Sequence, residues 1–268
     1  MTAAILSFGR TVPKKNKVAN VASAPVNGAI STDTILEIAR KQLTPEQSKR
    51  LAFLENSISR GDVKDQQLRV YHQLAHFWGD SIGFFPPYAW YEAEAARLEN
   101  SEKSLTFAAH LFLRDLQADH NADPAIMRWK ALQASNLFER SLKINPDNDS
   151  SSVGLGACYL FGNISSNPME GLRLINNVIK KDSTNEFAQM TLVKGALISG
   201  QFDKAINRLL SVNRMHPENV EAIVMLADTY ERTADKKAAV EWYKKCLPLI
   251  NQPEIKAEIE KRIVDLSK

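Results

Sequence analysis

QFDKAINRLLSVNRMHP (Gln201–Pro217) and KKAAVEWYKKCLPLIN (Lys236–Asn251) decide the fold. Laid over one another they put Ala205 on Ala239 and Leu209 on Tyr243, each pair 34 residues apart, and Leu192 and Leu226 stand at the same interval. Self-similarity at such an interval marks a chain built by stacking one supersecondary unit. Within each stretch apolar residues recur at i, i+3, i+4 and i+7, the period of a helix with one buried stripe. Turn signals at Ser199-Gly200, at His216-Pro217 and over Asp182-Ser183-Thr184-Asn185 cut the pattern into helix-length pieces. Each unit reads as two amphipathic helices, and the expected fold class is all-α.

Particular residue types recur at particular places. Leu155-Gly156-x-x-Tyr159 and Ile223-x-x-Leu226-Ala227-x-x-Tyr230 mark first helices. Ala134-x3-Phe138 followed by Pro146, Ala205-x3-Leu209 followed by Pro217, and Ala239-x3-Tyr243 mark second helices. Small residues sit where two helices must cross closely, and large ones fill the space to the next unit. Pro past a helix end stops it and redirects the chain. In these residues the sequence resembles the tetratricopeptide-repeat (TPR) family, of bacterial type. The resemblance implies a right-handed α-solenoid of helix-turn-helix units with extra N-terminal and C-terminal helices. It is imperfect at Gly171, where Ala is expected, at the long turn from Gly162 to Met169, and at Val193 and Ala196, which replace Gly and Tyr.

The N-terminal half follows the pattern more loosely. Tyr71-x-x-Leu74-Ala75-x-x-Trp78 and Leu105-x-x-Ala108-Ala109-x-x-Phe112 read as first helices, again 34 residues apart. Their second helices are expected over Pro87–Leu98 and Pro124–Ile144, with an insertion before the latter. Five units then begin near Val63, Glu102, Asp149, Glu186 and Val220. Leading helices are expected over Thr32–Arg40 and Thr44–Ser59, the second with Thr44 as cap and Pro45 just inside. An amphipathic closing helix over Glu254–Leu266 shields the last unit. This organisation is an arm over residues 1–30, two degenerate units with their leading helices over 31–146, and three clearer units with the closing helix over 147–268.

The chain has 268 residues and a formal net charge of +3. Arg10, Lys14, Lys15 and Lys17 give the arm its positive charge without any acid, so the body is close to neutral. A near-neutral body lacks the concentrated basic face that phosphate affinity demands, so no nucleic-acid partner is expected. The apolar AAILSF (Ala3–Phe8) is far shorter than the ~20 residues of a membrane span. The arm is expected to be flexible; the alternative is the remnant of a membrane anchor. The body is expected to be cytoplasmic, with a membrane-tethered or periplasmic placement as alternatives. Cys158 and Cys246 fall in apolar helical patterns and read as small core residues.

No phosphate loop, dinucleotide fingerprint, nucleophile elbow or HExxH occurs. Gly154-Leu155-Gly156 lies inside a helical pattern and follows no strand. No catalytic residue, cofactor or metal is expected, and the chain is read as a non-enzyme. His72 and His76 are i, i+4 on one face, a spacing that grips metals, and His110 is 34 residues after His76. They are expected to point into one stretch of groove, as polar groups for a peptide or water; a metal or ligand site is the rival reading. Phe77, Trp78, Phe84, Phe85, Tyr88, Trp90 and Tyr91 are expected to fill the core between units.

The family resemblance implies a concave groove lined by first helices that takes an extended peptide or a helix. On the matching positions that groove displays Arg69, His72, His76, Lys103, Thr106 and His110 at its front. Further along it displays Val153, Phe187, Met190, Lys194, Leu197, Val224 and Asp228. Family members that clamp the terminal carboxylates of heat-shock chaperones use Lys, Asn and Arg there; Met190, Val224 and Asp228 occupy those places here, so that role is not expected. The apolar Phe187, Met190, Leu197 and Val224 suit an apolar helix or strand. The expected function is a protein-binding scaffold for another protein or peptide. The alternative is self-assembly into a homo-oligomer.

Overall fold

The computed structural model describes residue 28 and residues 30–60, 63–118, 123–165 and 167–268. Among the described residues the chain is all-α, with no strand. Two leading helices, α1 (Thr32–Arg40) and α2 (Pro45–Arg60), precede five helical hairpins. These are α3 (Lys64–His76) with α4 (Phe85–Glu99), α5 (Glu102–Ala118) with α6 (Pro124–Ile144), and α7 (Asp149–Phe161) with α8 (Pro168–Lys181). They continue as α9 (Glu186–Ile198) with α10 (Phe202–Met215), and α11 (Val220–Arg232) with α12 (Lys236–Cys246). The closing helix α13 (Pro253–Leu266) packs on α12. The basic arm expected over residues 1–30 falls almost wholly outside the described residues, as do residues 119–122 of the insertion.

Local sequence explains the helix starts. Asn148, Asn185 and Asn219 precede α7, α9 and α11, and each side-chain oxygen accepts the backbone N–H three residues on, at 2.7, 2.9 and 2.7 Å. Such a cap satisfies a donor that the first turn leaves unpaired, worth about 1 kcal/mol. Thr44 and Gln47 make the reciprocal version at the start of α2: Gln47 N–H donates to Thr44 Oγ1 at 3.2 Å and Thr44 N–H to Gln47 Oε1 at 2.8 Å. Pro124, Pro168 and Pro253 stand in first turns, where a missing N–H costs nothing.

Packing follows the small-and-large logic of the repeat. Ala134, Ala205, Ala227 and Ala239 are fully buried at crossings, with Phe138, Leu209 and Tyr243 filling the volume beyond. The departure at Gly171 has a cause. A Cβ on Gly156 would lie 2.7 Å from the carbonyl oxygen of Gly171, and one on Gly171 would lie 2.5 Å from that of Gly156. The two glycines bring the backbones of α7 and α8 closer than alanine permits.

The sequence pattern did not anticipate a π-helical turn at Phe77–Ile82, directly after α3. Phe77 and Trp78 are both 1% exposed, their rings edge-to-face at 5.4 Å. The wider turn carries two adjacent bulky side chains into the core together. Gly83 ends it with φ of 73°, a left-handed conformation that glycine adopts without strain. Helix α4 starts at Phe85, slightly ahead of the expected Pro87, with both prolines in its first turn.

First helices pack on one another (α5 with α7, α7 with α9), whereas successive second helices make no comparably close pairing. Through α5, α7 and α9 the first helices therefore line the inner side of the stack and the second helices the outer. Helix α1 lies against α4, and the Trp129 indole N–H of α6 donates to Thr32 Oγ1 at 2.9 Å. No helix among the described residues is long and apolar enough to cross a membrane.

Candidate functional site

The inner face is not one continuous groove. An open cleft of about 640 Å³ runs along α5, lined by Glu102, Lys103, Thr106, Phe107, His110 and Arg114, with Asn148 at the head of α7. The spacing within Lys103, Phe107, His110 and Arg114 is that of one helical face. The opposite face of α5 (Leu105, Ala108, Ala109, Phe112, Leu116) is buried. The hydroxyls of Thr106, Ser141 and Ser151 form a closed triangle beneath the cleft, with sides of 2.9 to 3.0 Å. Glu102 accepts the side-chain amides of Asn145 (3.1 Å) and Asn148, which tie it to the turn before α7.

Lys103 and Arg114 are exposed and make no ion pair among the described residues, and Phe107 is 52% exposed between them. His110 sits deeper. Its ring meets Phe138 edge-on at 5.1 Å and Phe187 at 5.3 Å, and its Nε2 lies 2.8 Å from Ser150 Oγ. Burial, aided by the Arg114 charge, holds its pKa below the ordinary histidine value.

The middle of the inner face is closed. Phe187 on α9 reaches across to His110 on α5, and the Lys194 ammonium donates to Gln117 Oε1 of α5 at 3.3 Å. Both contacts skip over α7, whose Ser151 and Val153–Cys158 are all buried. Val153, expected on the groove, is core. Met190, expected on the groove, is 6% exposed and packed with Val193, Leu209 and Leu226. Phe187 and Leu197 are half-buried against core clusters, and Lys194 also pairs with Glu221 at 3.0 Å.

The end of the face is covered. Helix α13 lies over Val220, Val224 and Asp228, leaving a slot of about 210 Å³ walled by Tyr243, Ile255, Ile259 and Arg262. Arg262 Nε donates to Glu231 at 2.8 Å, its Nη1 lies 3.6 Å from Asp228, and its guanidinium stacks over the Tyr243 ring at 5.4 Å. The Tyr243 hydroxyl donates to Asp228 and to Glu231. Burial and that Asp228 contact push the phenol's pKa well above its usual value. Val224 and Asp228 thus border the chain's own closing helix across this slot, with Asp228 still partly exposed.

The three histidines do not converge. His72 Nδ1 faces Glu92 of α4 at 3.4 Å, exposed His76 pairs with Asp80 one turn on at 2.8 Å, and His110 is wedged between two phenylalanines. His76 and His110 share one place in the unit, but each of the three finds a local partner first. No group of three His, Cys, Asp or Glu that could hold a metal is gathered among the described residues. Arg69 is exposed on α3. Cys158 and Cys246 are buried and free, as the sequence reading had them. Phe107 and Arg114 were missed. Their signal was present: they share a helical face with Lys103 and His110, and an aromatic residue on a charged face lacks a packing reason to be there.

Residues 220–252, spanning α11 and α12, match the family model of the tetratricopeptide repeat. Among solved structures the chain is similar to MamA (residue 41 to the end) from Desulfovibrio magneticus RS-1, at 22% identity and a TM-score of 0.44, over 70% of this chain and 96% of that one. It is also similar to YrrB, described as a TPR protein with an unusual peptide-binding site, at 14% identity and a TM-score of 0.42, over 78% and 97% of the two chains. Yeast Tom70 is similar at 13% identity and a TM-score of 0.34, over 82% of this chain and 58% of that one. No curated protein matches the sequence.

Proposed function

We propose that this chain, whose residues 220–252 match the tetratricopeptide repeat, is a non-catalytic scaffold that holds a segment of another protein along the inner face of α5. The observation that carries the reading is the α5 cleft itself. There Lys103, Phe107 and Arg114 stand exposed and, among the described residues, unpaired, ahead of a middle bridged by α9 and an end flanked by α13. An aromatic side chain half out in water, flanked by long charged ones, is the composition of an anchor point at a protein interface. A helical stack supports such a point well, because α5 is fixed from both sides by buried neighbours.

This reading moves the site away from the apolar set at Phe187, Met190, Leu197 and Val224. Met190 is buried, Phe187 and Leu197 are half-buried against the core, and Val224 lies in a narrow slot beside α13.

The test is site-specific photo-crosslinking in the native cell. A photoreactive residue replaces Phe107 on the inner face or, in a second variant, Met169, which is 65% exposed on the outer helix α8. A discrete crosslinked protein at position 107 and none at 169 supports the scaffold. Crosslinks at 169 alone, or at neither, reject it.

A further inference from the structure

We infer that the α5 cleft selects an acidic partner segment, one with two carboxylates on the same side of an extended chain, about 13 Å apart, and an apolar residue between them. This rests on the scaffold reading and adds the chemistry of what is held. Lys103 and Arg114 lie on one face of α5, eleven residues apart. At 1.5 Å rise per residue they stand about 16 Å apart along the helix. Phe107 protrudes between them. Alternate side chains of an extended segment share one side, about 6.6 Å apart, so acids at i and i+4 with an apolar residue at i+2, about 13 Å overall, meet both cations and the ring together through the long Lys and Arg side chains.

The charge argument holds on the surrounding groups. The one acid lining the cleft, Glu102, is turned to the amides of Asn145 and Asn148. Asp115, next to Arg114 in sequence, is drawn to the other side of α5 by the buried Lys130 at 2.5 Å. Burial and the nearby Arg114 both disfavour the charged form of His110, whose ring is wedged between Phe138 and Phe187. The hydroxyls below are bonded to one another, which leaves the two long cations as the groups free to answer a carboxylate. The chain's own arm is a poor occupant, since residues 1–30 carry four cations and no acid.

Fluorescence anisotropy on the full chain tests this with labelled hexapeptides. One has glutamate at its first and fifth positions and leucine at its third; a second has lysine for glutamate; a third puts the two glutamates side by side. The protein is used as it stands, as Lys103→Glu with Arg114→Glu, and as Phe107→Ser, with helicity checked for each. The spaced acidic peptide is expected to bind best, to weaken as salt rises, and to lose about tenfold in affinity with the charge-reversed protein. The lysine peptide should prefer the charge-reversed protein, and Phe107→Ser should weaken the acidic peptide without altering its salt response. Equal binding of acidic and lysine peptides, indifference to charge reversal, or no binding by any peptide overturns the inference. If crosslinking at position 107 still captures a protein while the peptides fail, the scaffold stands and its acidic selectivity falls.

Discussion

A methyl group at Gly171 has nowhere to go. It would sit 2.5 Å from the Gly156 carbonyl oxygen, so Gly171→Ala must push α8 off α7. The expected cost is about 1–3 kcal/mol, seen as a lower melting temperature; an unchanged one would mean that the two backbones are farther apart than described. Met190 teaches the opposite lesson. It stands where the resemblance implies a groove position, and its type gives no hint of direction, because a helix buried on several sides has no polar face to orient the reading. As a core residue, Met190→Ala should destabilise by about 2–5 kcal/mol. An unaltered melting temperature would return it to the surface. His110 is the residue through which acid acts on this region. The groups around it are Arg114 of α5, Phe138 of α6, Ser150 of α7 and Phe187 of α9. Its pKa is lowered in the folded chain, so its protonated form favours the unfolded one. The stability it contributes is complete above the ordinary value of about 6.5 and is lost as pH falls through the lowered one. The melting temperature of the native chain should therefore drop more between pH 7 and pH 5 than that of His110→Gln. Parallel curves would contradict this.

Helix positions were legible because their signals are local. Asn caps, prolines in first turns and the 34-residue interval place α5, α7, α9 and α11 at the expected starts, and α6 at both expected ends. The π turn at Phe77–Ile82 was not legible, since it answers a tertiary demand, the burial of two adjacent large rings. Helix α13 was legible as a closing helix, but the face it covers was not. Its apolar residues are three to four apart like any amphipathic helix, and nothing in that spacing says that Ile255 and Ile259 stand over Val220 and Val224. Ile259 is the one residue of α13 that is buried, so the helix is held by little apolar area and by the Arg262 contacts to Asp228 and Glu231. Ending the chain at Asn251 should remove the ~1.5–3 kcal/mol that burying such a side chain supplies. The expected result is faster amide exchange in α11 and α12 with exchange in α5 and α7 unchanged. Full protection of α11 and α12 in the shortened chain would show that α13 is not their cover.

On the scale of the whole molecule, the stack divides its inner face into an open front, a closed middle and a covered end. The repeat pattern supplies the line of first helices, but whether that line stays open depends on contacts between units two apart, such as His110 with Phe187 and Lys194 with Gln117. Those contacts depend on the curvature of the stack, which a repeat interval does not encode. The same curvature leaves α5 free at Lys103, Phe107 and Arg114, and so concentrates binding there. The most direct measurement is amide hydrogen exchange on the full chain, alone and with the partner captured through position 107. Protection gained over residues 102–114 and the first turn of α7, with α9 to α13 unchanged, is the predicted result. Protection confined to α9, α11 and α13, with α5 exchanging as in the free chain, would contradict the account.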